Sequence, residues 1–303
     1  MRFAISIPQD LNDRAFDPDG FRAHLRRAEE LGFDGAWTQE QVLGTAARSS
    51  PLETLAFAAA CTERIRLGCA VFVTPRHSPV HLAKSLSTLD QLSRGRVDVG
   101  VGVGARGRTL AAFGVEPDGL VDRFVEGLDL MKACWTQSRI TFDGRHWQLD
   151  DAAMEPKPFQ RPHPPIWFGA RHPNALRRAV RHGDGFFGAG SATTAQFAEQ
   201  VQVIRDALAE AGRDAAGFPI AKRVYIGIDD DAARARTRAA ETLERFYGRD
   251  DLLPVAVHGP PDTCVQGVRD VIGSGAGLVL FTPLFDDAEQ QERIAAEVLP
   301  ALA

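Results

Sequence analysis

The chain has 303 residues, with 35 basic and 40 acidic side chains and a net charge of -5. This length suits one large α/β barrel or two smaller domains, and the acidic balance argues against a nucleic-acid partner. The four cysteines are scattered and no apolar run approaches the length of a membrane span, so we expect a reduced, cytoplasmic protein without a membrane partner.

Strand and helix signals alternate from the N-terminus onwards. Phe3–Ile7 is strand-like, and Asp17-Pro18 opens a helix that ends at Gly32. Gly35–Trp37 is a short second strand, and Ser50-Pro51 starts the next helix. This alternation is typical of parallel βαβ units rather than of separate all-β and all-α blocks.

The segment Ile65–Gly104 is the clearest βαβ unit. Its first strand is predicted over Ile65–Val71. Ser78 is a suitable N-cap for a helix that begins with Pro79, and leucines at three- and four-residue spacing continue that helix. Val97–Val103 then alternates valine with aspartate and glycine, which predicts a fourth strand.

The same alternation continues to the end of the chain. The predicted helices lie at 120–135, 174–181, 194–211, 232–246, 262–272 and 288–298, the strands at 166–168, 185–187, 224–228 and 278–281, and a small hairpin at 140–149. Without the hairpin, the predicted strands number eight. We expect them to form one domain over residues 1–303.

Glycines cluster where the fourth strand ends. Gly102–Gly107 spells GxGxxG, the fingerprint of a dinucleotide-binding turn, but that turn needs a helix opening directly in it. Three strand–helix units precede this turn, and Phe113-Gly114 interrupts any immediate helix. Two other interpretations stay open: ordinary turn glycines, or glycines that let a flat ring lie against the backbone.

A second block of interest is Ile166–Gly190. Backbone N–H groups around Gly169–Arg171, together with the N-terminus of the next helix, suit a phosphate group. Arg171 would add a charge-assisted contact, and the GxGS stretch Gly188–Ser191 would add amides and a hydroxyl. The alternative is that Arg171 is simply solvated.

Two histidines four residues apart raise the question of a metal. His77 and His81 have the spacing of helical metal ligands. However, Pro79 starts the helix and leaves His77 outside it, so we expect no metal site.

Several long motifs in order resemble the bacterial-luciferase-like flavin and deazaflavin oxidoreductases. They are EELGFDGAW at Glu29–Trp37, LAKSLSTLDQLSRGRVDVGVGVG at Leu82–Gly104, DRFVEGLDLMKACW at Asp122–Trp135 and PPIWFGARHPNALRRAVRHGDGFF at Pro164–Phe187. The resemblance implies a (β/α)8 TIM barrel with insertions in the βα loops. It also implies a cofactor at the barrel mouth, either deazaflavin (coenzyme F420) or FMN, and a homodimer.

The resemblance also implies a cofactor site. It places a non-proline cis peptide within Phe72–Thr74, in a bulge that supports the ring. The residues implied to bind the cofactor are Phe72, Val73, Thr74, Gly102, Gly104, Gly169, Ala170, Arg171, Gly190 and Ser191.

The chain departs from the family pattern at its catalytic positions. Many deazaflavin-dependent relatives have a histidine after the acidic residue that closes strand two, where this chain has Glu40-Gln41. Some also carry a glutamate where this chain has Ala105-Arg106. Glu40 is then the candidate proton donor, with Gln41 and Arg106 orienting substrate or stabilising charge. The alternative for Glu40 is a purely structural hydrogen bond.

Four functions remain open from the sequence. The first is hydride transfer between a reduced deazaflavin and a small organic substrate. The second is an FMN-dependent monooxygenase that uses dioxygen and a separate reductase. The third is a non-catalytic flavin-binding protein. The fourth, an unrelated barrel hydrolase or lyase, lacks any visible metal cluster or nucleophile–base pair.

Overall fold

The computed structural model describes residues 1–11, 15–44, 46–104 and 108–302. The strands are β1 (Arg2–Ser6), β2 (Gly35–Thr38), β3 (Arg66–Val73), β4 (Val97–Gly102), β5 (Ile140–Asp143), β6 (Gln148–Ala152), β7 (Ile166–Gly169), β8 (Gly185–Gly188), β9 (Ile220–Ile228), β10 (Ala256–Gly259) and β11 (Leu278–Pro283). The α-helices are α1 (Pro18–Glu30), α2 (Pro51–Cys61), α3 (Pro79–Leu92), α4 (Leu120–Thr136), α5 (Pro173–His182), α6 (Thr194–Glu210), α7 (Ala232–Tyr247), α8 (Pro261–Gly273) and α9 (Asp287–Arg293).

Eight parallel strands close into a barrel. Their order around the ring is β1, β2, β3, β4, β7, β8, β9 and β11, and β11 pairs with β1 to complete it. Helices lie between successive strands, so the predicted (β/α)8 barrel is confirmed. The dinucleotide-turn interpretation is wrong, because β4 belongs to this closed ring and, among the described residues, the next α-helix begins at Leu120.

Local signals explain where the helices begin. Pro79 is the first residue of α3, and the Ser78 side chain accepts a hydrogen bond from the His81 N–H, as predicted. Asp17 caps α1 in the same way. At the other end of α1, the Glu29 carboxylate accepts hydrogen bonds from three backbone N–H groups at Glu63–Ile65. Glu29 therefore fixes the chain where it enters β3.

An aromatic cluster fills the barrel interior. The Trp37 and Phe187 ring centroids are 4.9 Å apart, and Trp167 packs against both at 6.0 Å. These rings plug the barrel below its carboxyl-terminal mouth. Residues that point outwards from the same strands form the larger core under the helices.

Two elements lie outside the ring. β5 and β6 form the predicted antiparallel hairpin. β10 was not predicted from the sequence, and it pairs with the end of β9 from Tyr225 to Ile228. In the part of the chain that the structure covers, no helix is both long and apolar enough to cross a membrane.

Candidate active site

The third barrel strand carries a bulge at the mouth. Cys69 pairs with Val99 and Phe72 with Val101, so β3 has one residue more than β4 over this stretch. The non-proline cis peptide joins Ala70 and Val71 inside this bulge. The predicted position of this cis peptide, within Phe72–Thr74, is therefore wrong. The peptide lies closer to the N-terminus, because β3 pairs regularly with β4 again from Phe72.

Glycines on the neighbouring strands make room for the bulge. A Cβ atom at Gly100 would lie 2.0 Å from the Cys69 carbonyl oxygen. At Gly102 and Gly169 a Cβ atom would meet a Val71 methyl group at 2.7 and 2.9 Å. These glycines therefore leave room for the bulge and for the Val71 side chain.

A cavity of ≈ 520 Å³ lies over the bulge, between β4, β7, β8 and β9. The predicted residues that line it are Gly102, Gly104, Gly169, Ala170, Arg171, Gly190 and Ser191. Of the three residues predicted around the end of β3, Phe72 packs in the core under the helices, and Val73 and Thr74 are also buried. Ala70 and Val71 line the cavity in their place.

The loops after β7 and β8 are tied together. The Arg171 guanidinium donates a hydrogen bond to the Ser191 carbonyl oxygen at 2.9 Å. Helix α5 begins at Pro173, and its N-terminus is partly satisfied because the Asn174 N–H donates to the His172 ring at 3.2 Å. The predicted anion-binding groups thus share one rim of the cavity.

Two adjacent basic residues of β9, Lys222 and Arg223, are buried near that rim. Arg223 is 4% exposed, lines the cavity and donates to the Ala70 carbonyl oxygen at 3.0 Å. Lys222 points to the other face and donates to the Ala189 carbonyl oxygen at 2.7 Å. Burial, with the nearby Arg223 and Arg171, lowers the pKa of Lys222 to about 7. Sequence reasoning missed both, although two adjacent cations inside an apolar strand are a usable signal.

A second cavity of ≈ 430 Å³ adjoins the first. It is lined by Asp10, Gln39, Glu40, Gln41, Ala46, Ala47, Arg48, Tyr225, Arg245, Phe246 and Tyr247. Arg48 is held by Asp10 through two hydrogen bonds of 2.8 and 2.9 Å. Gln39, Tyr225 and Tyr247 line both cavities and therefore separate them.

The three candidate catalytic residues are placed differently. The Glu40 side chain is 1% exposed, and its oxygens accept hydrogen bonds from the Val73 N–H and the His77 ring, both at 2.6 Å. This geometry fits the structural alternative, because one oxygen holds the end of β3 and the other holds the His77 ring in the loop that follows. Gln41 lines the second cavity, and Arg106 lies outside the described residues.

The hydrogen bond to Glu40 also explains the orientation of the His77 ring. Its ring nitrogen faces the carboxylate rather than His81, whose backbone lies in the first turn of α3. Within the described ranges, no group of three or more histidine, cysteine or acidic side chains is arranged to hold a metal.

We expect Glu40→Ala to lower the free energy of unfolding by about 2 kcal/mol, because the Val73 N–H and the His77 ring lose their buried acceptor. Urea denaturation measures this change. Glu199→Ala, on an exposed position of α6, is the matched control and should unfold like the wild type. Equal stability of the two variants would contradict a structural role for Glu40.

Comparisons with known proteins agree with this architecture. The model of the luciferase-like monooxygenase family matches residues 1–277. An F420-dependent glucose-6-phosphate dehydrogenase of Beutenbergia cavernae is 31% identical, over 95% of this chain and 94% of its own. The protein of the same name in Kineococcus radiotolerans is 30% identical, with 95% and 94% covered.

Solved structures share the fold over the whole chain. Monooxygenase RslO1 from Streptomyces bottropensis has a TM-score of 0.86 and 25% identity, over 100% of both chains. An F420-dependent secondary alcohol dehydrogenase in complex with an F420-acetone adduct has a TM-score of 0.83 and 20% identity, over 100% of this chain and 99% of its own. With the family model matched over residues 1–277, this chain belongs to the luciferase-like monooxygenase family.

Proposed function

We propose that this protein is an oxidoreductase that uses the reduced deazaflavin F420 to reduce a small organic substrate. The observation that carries the proposal is the ≈ 520 Å³ cavity, whose wall is the Val71 bulge and whose rim carries Arg171. The full-length relatives that are named F420-dependent dehydrogenases favour the deazaflavin over FMN.

The residues present fit a flat, anionic coenzyme. Gly102, Gly104 and Gly169 bring backbone rather than side chains to the cavity wall, and Val71 supplies an apolar surface for a ring. Arg171, with the backbone N–H groups of the loops after β7 and β8, provides donors for a phosphate group. This donor set would hold the anionic part of the coenzyme at the rim.

When bound, the reduced coenzyme supplies a hydride, and the protein supplies orientation and exclusion of water. Val71 would support the ring, while the cluster of Trp37, Trp167 and Phe187 closes the barrel beneath the cavity to water. The second cavity would hold the substrate, with Gln41 as a contact. Arg106 stays a predicted contact from the loop after β4.

We expect Arg171→Met to raise the Kd for F420 about tenfold, because one charge-assisted contact to a phosphate is lost. Fluorescence titration of the coenzyme measures this. The variant should also flatten the salt dependence of binding, since an exposed cation is removed. If both the Kd and its salt dependence match those of the wild type, Arg171 is a solvated side chain.

A second candidate function is an FMN-dependent monooxygenase. It is favoured by the similarity to RslO1, whose name identifies it as a monooxygenase. That function would require dioxygen and a separate reductase to supply reduced FMN. In either case we propose a homodimer, and light scattering coupled to gel filtration would test this.

The two functions differ in their need for oxygen. Under anaerobic conditions, we expect the protein to oxidise reduced F420 in the presence of cyclohexenone or another electron-poor substrate. Product formation only with reduced FMN and dioxygen would instead establish the monooxygenase. Binding of either coenzyme without turnover of any substrate would favour a non-catalytic flavin-binding protein.

A further inference from the structure

The sequence contains two tyrosines, and the fold brings them together. Tyr225 lies in β9 and Tyr247 is the last residue of α7, and their phenol oxygens are 2.6 Å apart. The ring planes are nearly perpendicular, at 79°. Tyr225 is buried and Tyr247 is exposed, so this hydrogen bond connects the barrel interior with the surface.

The backbone around the pair is built to admit it. A Cβ atom at Gly190 would lie 2.6 Å from the Tyr225 ring, so only glycine fits there without displacing the ring. Gly248 ends α7 in the left-handed region, at φ +66°, and the chain turns away directly after Tyr247. Both features keep the phenols at the wall between the two cavities.

The surroundings of Tyr247 favour its protonated phenol. Part of the Tyr247 side chain is exposed, but burial of the rest, together with the hydrogen bond to Tyr225, raises the pKa of Tyr247 above its ordinary value. Arg48 is neutralised by Asp10, and Arg223 is held by the Ala70 carbonyl oxygen. At neutral pH the Tyr247 phenol is therefore a hydrogen-bond donor rather than a base.

The described residues that line both cavities are Gln39, Tyr225 and Tyr247. Of these three, the tyrosines alone carry an ionisable proton. Glu40, the candidate suggested by the sequence, already uses one carboxylate oxygen on the Val73 N–H and the other on the His77 ring. The phenol pair is thus the better placed acid at the junction of the coenzyme cavity and the substrate cavity.

Building on the proposed function, we propose that the Tyr225–Tyr247 pair binds and protonates the heteroatom of a substrate C=O or C=N bond. The carbon of that bond gains the hydride from the reduced deazaflavin, and the π electrons pass to the heteroatom. There a new O–H or N–H bond forms as a phenol O–H bond breaks. The phenolate regains its proton from water through Tyr247, which is the exposed member of the pair.

The small number of tyrosines allows a direct test. Biosynthetic incorporation of fluorotyrosine gives fluorine NMR signals from these two positions alone. The labelled protein is titrated with F420 and then with cyclohexanone, cyclohexenone and pyrroline as probes. We expect both signals to shift with a probe that the enzyme reduces. Reduction of a probe with both signals unmoved overturns the proposal, as does F420 binding without reduction of any probe or movement of either signal.

Phenylalanine variants provide the second readout. We expect Tyr225→Phe to lower kcat about 100-fold while the Kd for F420 stays within about twofold of wild type. Because the phenols act as one unit, the double variant should be little worse than the poorer single variant. If the variants raise KM and leave kcat unchanged, the pair acts in substrate binding alone, and the proton-donor role is overturned.

The outcomes separate this inference from the proposed function. If the wild type binds no F420, the proposed function fails. If it binds F420 and reduces a probe, but both phenylalanine variants keep wild-type kcat, then the role of the tyrosine pair alone fails. Thermal unfolding of each variant checks that the barrel is intact.

Discussion

Replacing Gly100 with alanine should destabilise the protein by about 3 kcal/mol, which is the largest stability effect we expect from a single added methyl group. The new Cβ atom would lie 2.0 Å from the Cys69 carbonyl oxygen, and that atom is backbone. It cannot be relieved by rotating a side chain. The bulge at Ala70 and Val71 would have to move, so F420 binding should weaken together with stability.

Gly273→Ala is the matched control. Gly273 is the last residue of α8, and no atom lies within 4 Å of the position of its Cβ atom. We expect this change to be neutral or to stabilise by up to about 1 kcal/mol, because alanine favours a helix over glycine. Denaturant unfolding of the Gly100 and Gly273 variants compares their free energies of unfolding. Similar stabilities would mean that the bulge does not require glycine on β4.

Replacing Arg223 with methionine should raise the Kd for F420 about 100-fold. Arg223 lines the cavity over the bulge and donates to the Ala70 carbonyl oxygen, within the bulge itself. Methionine has a comparable length without the donors, so the carbonyl loses a charged partner worth about 2 to 3 kcal/mol. The cavity also loses a buried positive charge.

Arg205→Met controls for the change in net charge. Arg205 is exposed on α6, away from the residues that line the two cavities. Its Kd for F420 should equal that of the wild type. If the Arg223 and Arg205 variants bind F420 with the same Kd, Arg223 does not contribute to coenzyme binding.

Much of the barrel is readable from local sequence. The eight strands and the helix starts at Asp17, Ser50 and Ser78 follow from β-rich runs, caps and prolines, and the structure confirms them to within a few residues. β10 was not predicted, because its four residues include histidine and glycine and give a weak strand signal. Its pairing with β9 depends on the closed barrel.

The site was only partly predictable, because its details are tertiary. Strand β3 has no proline or turn signal at the bulge, so the sequence does not reveal which residue is the extra one. The identity of Glu40 suggested acid chemistry, whereas its hydrogen bonds to Val73 and His77 appear only in three dimensions. Tyr225 and Tyr247 meet through the docking of α7, which no local pattern encodes.

The most direct test of the account is a binding titration of the purified protein with F420 and with FMN, each oxidised and reduced. Coenzyme fluorescence and tryptophan quenching follow the binding, since Trp37 and Trp167 lie in the barrel interior. We predict binding of F420 that is tighter than that of FMN and is weakened by Arg223→Met. Absence of F420 binding in either redox state would contradict the assignment of the cavity over the Val71 bulge.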